Sequence, residues 1–99
     1  MGKIGRPRNP DGVITREGYR RFPKDENGEV YEHRQIGRKL YPLDENDCHY
    51  CGRIVLWSES GKYRLIIDHV DADRLHNVPA NLVVACETCN LRRGKGLPV

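Results

Sequence analysis

The sequence predicts a small α+β domain that is stapled by a metal-bound cysteine cluster and preceded by a basic N-terminal arm. The chain has 99 residues, enough for one domain, and only 37% of them are apolar, so its core must be thin. Two Cys-x-x-Cys pairs, Cys48/Cys51 and Cys86/Cys89, are suited to holding a metal ion. Three strand-like runs lie between these pairs, and the last two lead into a short helix, which completes the predicted fold.

The first 24 residues are expected to form a basic arm. They carry seven Lys or Arg against two acids and show no sustained hydrophobic period apart from a short strand near residues 18–22. Lys3, Arg6 and Arg8 could neutralise the phosphates of a nucleic acid, and Gly5-Arg6-Pro7 is similar to the core of a minor-groove hook. A solvated tail without a partner is the alternative interpretation of such a charge run.

Residues 25–47 are predicted to form a short α/β extension of the arm. Asn27-Gly28 favours a turn that closes a hairpin. A helix is expected over Val30–Leu40, because Ile36 and Leu40 are spaced to share one face. Pro42 should end that helix, since a proline disfavours helical geometry in the residue before it. The boundary between this extension and the main domain, 48–99, is placed at the first cysteine.

The main domain has a regular order of predicted elements. Runs rich in β-branched residues predict strands over 54–57, 63–70 and 82–85. A helix is expected over 87–93, with Gly94 closing it. The two strands before the helix would therefore bring the second cysteine pair to a strand–helix junction.

The two cysteine pairs predict a structural zinc site. Four thiolates suit tetrahedral zinc and leave no position open for water, so this metal would stabilise the fold without taking part in chemistry. The first residues lack the apolar stretch of a signal peptide, which favours a reducing cytoplasmic location over disulfides. Four unlinked buried cysteines remain a weaker alternative. No run is long enough to span a membrane.

A second group of residues has the chemistry of phosphodiester hydrolysis. Asp68 and His69 are neighbours at a predicted strand end, where successive side chains diverge, so one could hold a metal ion while the other addresses water. Histidine titrates near neutrality and can accept a proton from water. Asn90 directly follows a zinc ligand, and its amide oxygen suits a hard cation such as Mg²⁺ or Mn²⁺.

These residues, from Cys48 to Gly94, resemble the HNH endonuclease family in the form with two zinc knuckles, a ββα-metal fold similar to a treble clef. The resemblance implies that His69 is the general base and that Asp68 and Asn90 bind the catalytic divalent ion. It further implies that Asn81 holds the loop that orients the base. The third motif position is Asn90 in place of His, a variation common in the family.

Several residues around this motif have open roles. Glu32-His33-Arg34 is similar to the stretch before the catalytic motif of phage and intron-encoded members of the family, so His33 is a candidate DNA contact. A surface or core-edge histidine is the more frequent case. His76, in the loop after the base, could touch metal or DNA or be solvated. The basic residues after the last motif position, Arg92, Arg93 and Lys95, are candidate DNA contacts.

The sequence therefore predicts a DNA endonuclease that uses a divalent ion and folds around zinc. A non-catalytic treble-clef module that binds nucleic acid is the competing class, and it would have no need of Asp68, His69 and Asn90 together. DNA is the expected partner, in the host cytoplasm if the chain is phage-encoded. Phage packaging proteins, or a second copy for double-strand cleavage, are further candidates.

Overall fold

The computed structural model describes residues 12–99 and shows a small α+β fold with two helices and three antiparallel strand pairs. The predictions for Lys3, Arg6, Arg8 and the Gly5-Arg6-Pro7 hook lie outside the described residues. The elements in chain order are β1 (Val13–Ile14), β2 (Arg20–Arg21), α1 (Glu32–Leu40), β3 (Glu45–Asp47), β4 (Ile54–Leu56), β5 (Ile66–His69), β6 (Leu82–Ala85) and α2 (Glu87–Gly94). Neither helix is long and apolar enough to cross a membrane within residues 12–99.

Strands β5 and β6, with α2 after them, form the predicted unit of two strands and a helix that contains the second cysteine pair. The two strands are antiparallel, with Ile66 opposite Ala85 and His69 opposite Leu82. Strand β6 has the predicted bounds, whereas β5 is shorter than predicted, because a turn of 3-10 helix occupies Gly61–Tyr63. Helix α2 extends one residue further than predicted and includes Gly94.

The part of the chain before Cys48 contains more secondary structure than its composition indicated. Strands β1 and β2 form a hairpin, of which only the second strand was expected. The turn at Asn27-Gly28 is confirmed, since the Phe22 N–H donates to the Val30 carbonyl across it. Helix α1 begins at Glu32, two residues later than predicted, and ends before Tyr41 as expected. Strand β3, which was not predicted, pairs with β4.

Helix α1 is attached to the core through Trp57 and Glu29. The guanidinium groups of Arg34 and Arg38 lie 4.9 and 4.2 Å from the centre of the Trp57 ring, and both donate to the carboxylate of Glu29. The Trp57 indole N–H donates to the Tyr41 carbonyl at 2.9 Å. Cation–π contacts and charge-assisted hydrogen bonds thus stabilise an interface that a thin apolar core could not hold alone.

A glycine sets how closely α1 packs against β5. A Cβ atom on Gly37 would lie 2.6 Å from Ile67 Cγ1 and 2.7 Å from Ile67 Cδ1. Ile67 is itself buried in the core, so it has little room to move. Because Asp68 and His69 follow Ile67 directly, this contact also places the extension beside the end of β5.

Replacing Gly37 by Ala should therefore destabilise the protein by about 1–3 kcal/mol, the usual cost of overpacking, even though alanine favours helix. The free energy of unfolding from denaturant titration measures this. Gly94→Ala in α2 is the matched control, because nothing lies within 4 Å of the position that its Cβ would take, and it should leave stability unchanged or raise it by at most about 1 kcal/mol. Equal stability of the two variants would contradict the close packing of α1 on Ile67.

Candidate functional site

The four cysteines form one cluster, as their spacing predicted. Their sulfur atoms all lie within 4.8 Å of one another, and those of Cys51 and Cys86 are 3.7 Å apart. A tetrahedral zinc site with bonds of about 2.3 Å separates its sulfurs by about 3.8 Å. The cluster joins the turn after β3 to the start of α2, where Cys86 is the N-cap residue and its sulfur accepts from the Cys89 N–H. These four residues fit a structural zinc ion.

The thiol groups have unequal acidity in the absence of a metal ion. Burial would raise the pKa of Cys48, but backbone N–H groups of Cys51, Cys86 and Tyr50 lower it to about 7. Burial and the neighbouring sulfurs raise the pKa of Cys89, and burial foremost raises that of Cys86. The Cys48 thiolate therefore forms readily, whereas those of Cys86 and Cys89 need a cation to be stable.

A cleft of about 770 Å³ lies between the end of β5, helix α2 and the extension. It brings together three of the four predicted catalytic residues, Asp68, His69 and Asn90. The extension contributes to the same cleft from the other side, and the lining includes four arginines and one lysine: Arg34, Arg64, Arg74, Arg93 and Lys95. The cleft therefore combines acidic, imidazole and amide groups within a cationic wall.

Asp68 is held by two donors from different elements. Its Oδ2 accepts from the Tyr50 hydroxyl at 2.6 Å and from Arg93 Nε at 2.7 Å. Arg93 also donates to the carbonyls of His69 and Val70, at 3.1 and 2.6 Å. Burial and the Asp68 carboxylate raise the pKa of Tyr50, which keeps its hydroxyl a donor. Among residues 12–99, Asp68 Oδ1 makes no hydrogen bond, so one carboxylate oxygen remains available in the cleft.

His69 is buried, with only 5% of its surface exposed. Its Nε2 lies 2.5 Å from Asn77 Oδ1, and Asn77 Nδ2 donates to Glu32 Oε1 at 2.7 Å. Neither Glu32 nor Asn77 was a predicted site residue, because the two lie 45 positions apart. The stretch Glu32-His33-Arg34 had indicated a role only for His33, and no local signal marked Asn77. A histidine, an amide and a carboxylate from three separate segments thus form one hydrogen-bonded chain.

His33 lies in the same site, at the edge of the core. Its ring is stacked on Tyr19, with centres 4.9 Å apart, and lies 5.1 Å from that of His69. Its Nδ1 is buried and has no hydrogen-bond partner within the described part of the chain. Burial foremost, and then the charges of His69 and Arg34, lower the pKa of His33 to about 3. This imidazole is therefore neutral at cellular pH.

Asn81 lies buried at the base of the loop that follows β5. Its Nδ2 donates to Asp71 Oδ1 at 2.9 Å and to the His76 carbonyl at 2.8 Å, and its Oδ1 accepts from the Asp71 N–H. These contacts pin both ends of the loop. Asn90, one residue after Cys89 in α2, is partly buried and borders the cleft.

The remaining predicted residues lie outside or beside the cleft. His76 is about half exposed and bonds Asp71 at 2.6 Å, which places it on the loop surface. The N–H group of Asp73 and the side chains of His76 and Asn81 lower the pKa of Asp71 to about 2. Arg92 is exposed on α2, whereas Lys95 borders the cleft.

Comparison with known families agrees with this geometry. The family described as HNH endonuclease matches residues 48–96, a segment that holds the cysteine cluster and the predicted motif. The chain therefore carries an HNH endonuclease domain, a member of a family of nucleases that use divalent metal ions and act on nucleic acid. The α+β fold and the cysteine cluster are consistent with its ββα-metal fold. No curated protein and no solved structure shows a significant match to the chain.

The cysteine cluster predicts that the fold depends on metal. Cys89→Ser should lower the melting temperature strongly and reduce bound zinc well below one ion per chain, because structural zinc contributes about 10–16 kcal/mol of apparent binding energy. Elemental analysis and thermal unfolding with and without chelator measure this. Thr88→Ser, at an exposed position between the two ligands, is the control and should retain zinc. A wild-type protein that folds cooperatively without metal would contradict the zinc site.

The environment of His33 predicts a pH dependence of stability. The unfolded chain takes up a proton on this histidine below about pH 6.5, whereas the folded pKa of His33 is about 3. The free energy of unfolding should therefore decrease as pH falls from about 6.5 toward 3, and this residue should account for about 1–2 kcal/mol between pH 7 and 5. His33→Phe keeps an aromatic ring and should remove that part of the slope.

The measurement is urea unfolding of wild type and variant at pH 7 and pH 5 in the same zinc concentration, so that zinc-linked effects are shared. His49→Phe, at an exposed position, is the matched control and should keep the wild-type slope. If His33→Phe shows the same pH dependence as wild type, His33 is not neutral in the folded protein.

Proposed function

We propose that this chain is a DNA endonuclease in which His69 is the general base and Asp68 and Asn90 hold the catalytic divalent ion. The observation that supports this most directly is that these three side chains border one cleft, although they come from two elements separated by about twenty residues. Their order is that of the HNH motif, with Asn90 in place of the last histidine, and the family match covers all three positions. Asn81 braces the loop between them.

The reaction needs a proton acceptor next to the attacking water. The water oxygen forms a bond to phosphorus, its proton passes to His69, and the bond from phosphorus to the leaving ester oxygen breaks, with solvent supplying a proton to that oxygen. The buried position of His69, between Asn77 and His33, holds its ring in one place. A fixed base loses little entropy when the reaction occurs.

The oxygen donors of the cleft fit a hard divalent cation such as Mg²⁺ or Mn²⁺. Asp68 Oδ1 makes no hydrogen bond to any residue from 12 to 99, while Tyr50 and Arg93 hold Oδ2 and so fix the carboxylate group. The Asn90 amide would be the second ligand, on a helix that the cysteine cluster anchors. When bound, such an ion polarises the phosphate and stabilises charge on the leaving oxygen.

The cationic wall of the cleft supports a polyanionic substrate. Arg64, Arg74 and Lys95 border the cleft, and we assign Arg92, Arg93 and Lys95 to the strand of DNA that enters it. Lys3, Arg6 and Arg8 of the arm would neutralise further phosphates. One such site cuts one strand, so double-strand cleavage would use a second copy or a partner such as a packaging protein.

One observation favours a second candidate, a zinc module that binds nucleic acid without cutting it. The ion pair between Asp68 Oδ2 and Arg93 balances the charge of the carboxylate without any metal ion. In that case Asp68 would only anchor Arg93, and the cleft would hold a phosphate without hydrolysing it.

Cleavage of supercoiled plasmid distinguishes the two functions. His69→Ala should lower the cleavage rate by at least about a hundredfold, the scale of losing a general base, with zinc content and DNA affinity retained. Asp68→Ala and Asn90→Ala should shift half-activation to higher Mg²⁺ or Mn²⁺, because each removes a ligand. His49→Ala, a histidine exposed to solvent, is the matched control and should cut at the wild-type rate.

Two outcomes would reject the nuclease assignment. One is a wild-type protein that binds DNA but cuts it with no divalent ion tried. The other is a set of three variants that cut as fast as wild type. Either result would leave the binding module as the function that the cleft supports.

A further inference from the structure

The hydrogen-bonded chain of Glu32, Asn77 and His69 has a definite direction. A carboxylate can only accept hydrogen bonds, so the end of the Asn77 amide that meets Glu32 must be its NH₂ group. The carbonyl oxygen of the amide then faces His69 Nε2 at 2.5 Å. Because that oxygen can only accept, Nε2 must carry the hydrogen.

This direction determines which nitrogen of His69 has a free lone pair. A neutral imidazole carries one N–H and one lone pair, so a hydrogen on Nε2 leaves the lone pair on Nδ1. Had Asn77 been turned the other way, its NH₂ group would donate to Nε2 and the hydrogen would move to Nδ1. The carboxylate at the far end of the chain therefore selects the tautomer of the histidine.

We propose that Glu32 and Asn77 are positioning residues that hold His69 in the Nε2–H tautomer, so that Nδ1 is the atom that accepts the proton. This inference rests on the proposed function only for the role of the proton, since the tautomer itself is a property of the folded protein. It also extends the site beyond the family match at 48–96, because Glu32 is the first residue of α1.

Neighbouring residues hold Glu32 and Asn77 in position. Arg20 Nε lies 3.5 Å from the Glu32 oxygen that accepts from Asn77, which holds the carboxylate at this spot. Asn81 donates to the carbonyl of His76, the residue directly before Asn77. The brace that the family resemblance assigned to Asn81 thus also positions the amide that meets the base.

Burial of the hydrogen-bonded residues favours the same tautomer of His69. His69 is almost fully buried, and Asn77 is partly shielded, so water competes poorly for either hydrogen bond. Tyr19 and His33 pack near the His69 ring, with ring centres at 6.4 and 5.1 Å. These rings oppose the ring flip that would exchange Nε2 for Nδ1.

The test is ¹⁵N–¹H correlation NMR of the histidine side chains in the zinc-loaded full chain at about pH 8, where an ordinary histidine is neutral. Loss of one ring system in His69→Gln assigns the His69 signals. Wild type should show a protonated Nε2 and an unprotonated Nδ1. Asn77→Ala and Glu32→Gln should both yield a mixture of tautomers, the first because the acceptor is gone and the second because an amide also donates.

Two further variants complete the design. Asn77→Asp keeps an acceptor next to Nε2 and should retain the Nε2–H tautomer. Glu26→Gln, in an exposed turn, is the matched control for Glu32→Gln and should leave the spectrum unchanged. If Asn77→Ala fails to fold, Glu32→Gln carries the test, since it preserves the size of the side chain.

The plasmid assay adds a second readout. Asn77→Ala should lower kcat by about 10–100-fold, the scale of losing an outer hydrogen bond to a functional histidine, with the KM for DNA and the half-activating Mg²⁺ concentration unchanged. An Nδ1–H tautomer in wild type, or unchanged tautomers in both Asn77→Ala and Glu32→Gln, would overturn the proposal. If wild type shows the expected tautomers but does not cut DNA, the nuclease function is rejected, whereas the selection of the His69 tautomer by Glu32 and Asn77 still holds.

Discussion

The meeting of four cysteine sulfurs within 4.8 Å is the constraint on which the rest of the structure depends. The two pairs come from the turn after β3 and from the start of α2, so a metal ion between them would fix the helix against the strands. Asn90 follows Cys89 directly, and Tyr50, which bonds Asp68, lies between the two cysteines of the first pair. An ion held there would stabilise the fold in place of a large core, and it would also set the positions of groups in the cleft.

The carboxylate of Asp68 accepts hydrogen bonds from two residues that border or lie beside the cleft. Arg93 and Tyr50 both donate to Asp68 Oδ2, and Arg93 also caps the carbonyls at the end of β5. This arrangement leaves Oδ1 open and orients it, which an isolated surface carboxylate would not achieve. Arg93 therefore contributes to the fold of the site as well as to its charge, whereas its sequence position had indicated only a contact to phosphate.

Local signals in the sequence were enough to predict the cysteine cluster, strand β6 and helix α2. Each depends on residues a few positions apart, such as the spacing of Cys86 and Cys89. The features that the sequence did not reveal depend on contacts between distant segments. Glu32 meets Asn77 across 45 positions, and the ring of His33 reaches His69 only because α1 packs on β5. The arm residues Lys3, Arg6 and Arg8 remain predictions.

The extension before Cys48 has a specific physical role in this arrangement. Residues 48–96, which match the family, contain the sulfur cluster, the Asp68 carboxylate and the amide of Asn90, but they leave Asn77 without the carboxylate that orients its amide toward His69. Helix α1 supplies that carboxylate through Glu32, and the contact of Gly37 with Ile67 lets the helix approach closely enough. The orientation of the proposed base, His69, therefore depends on the packing of helix α1 against β5.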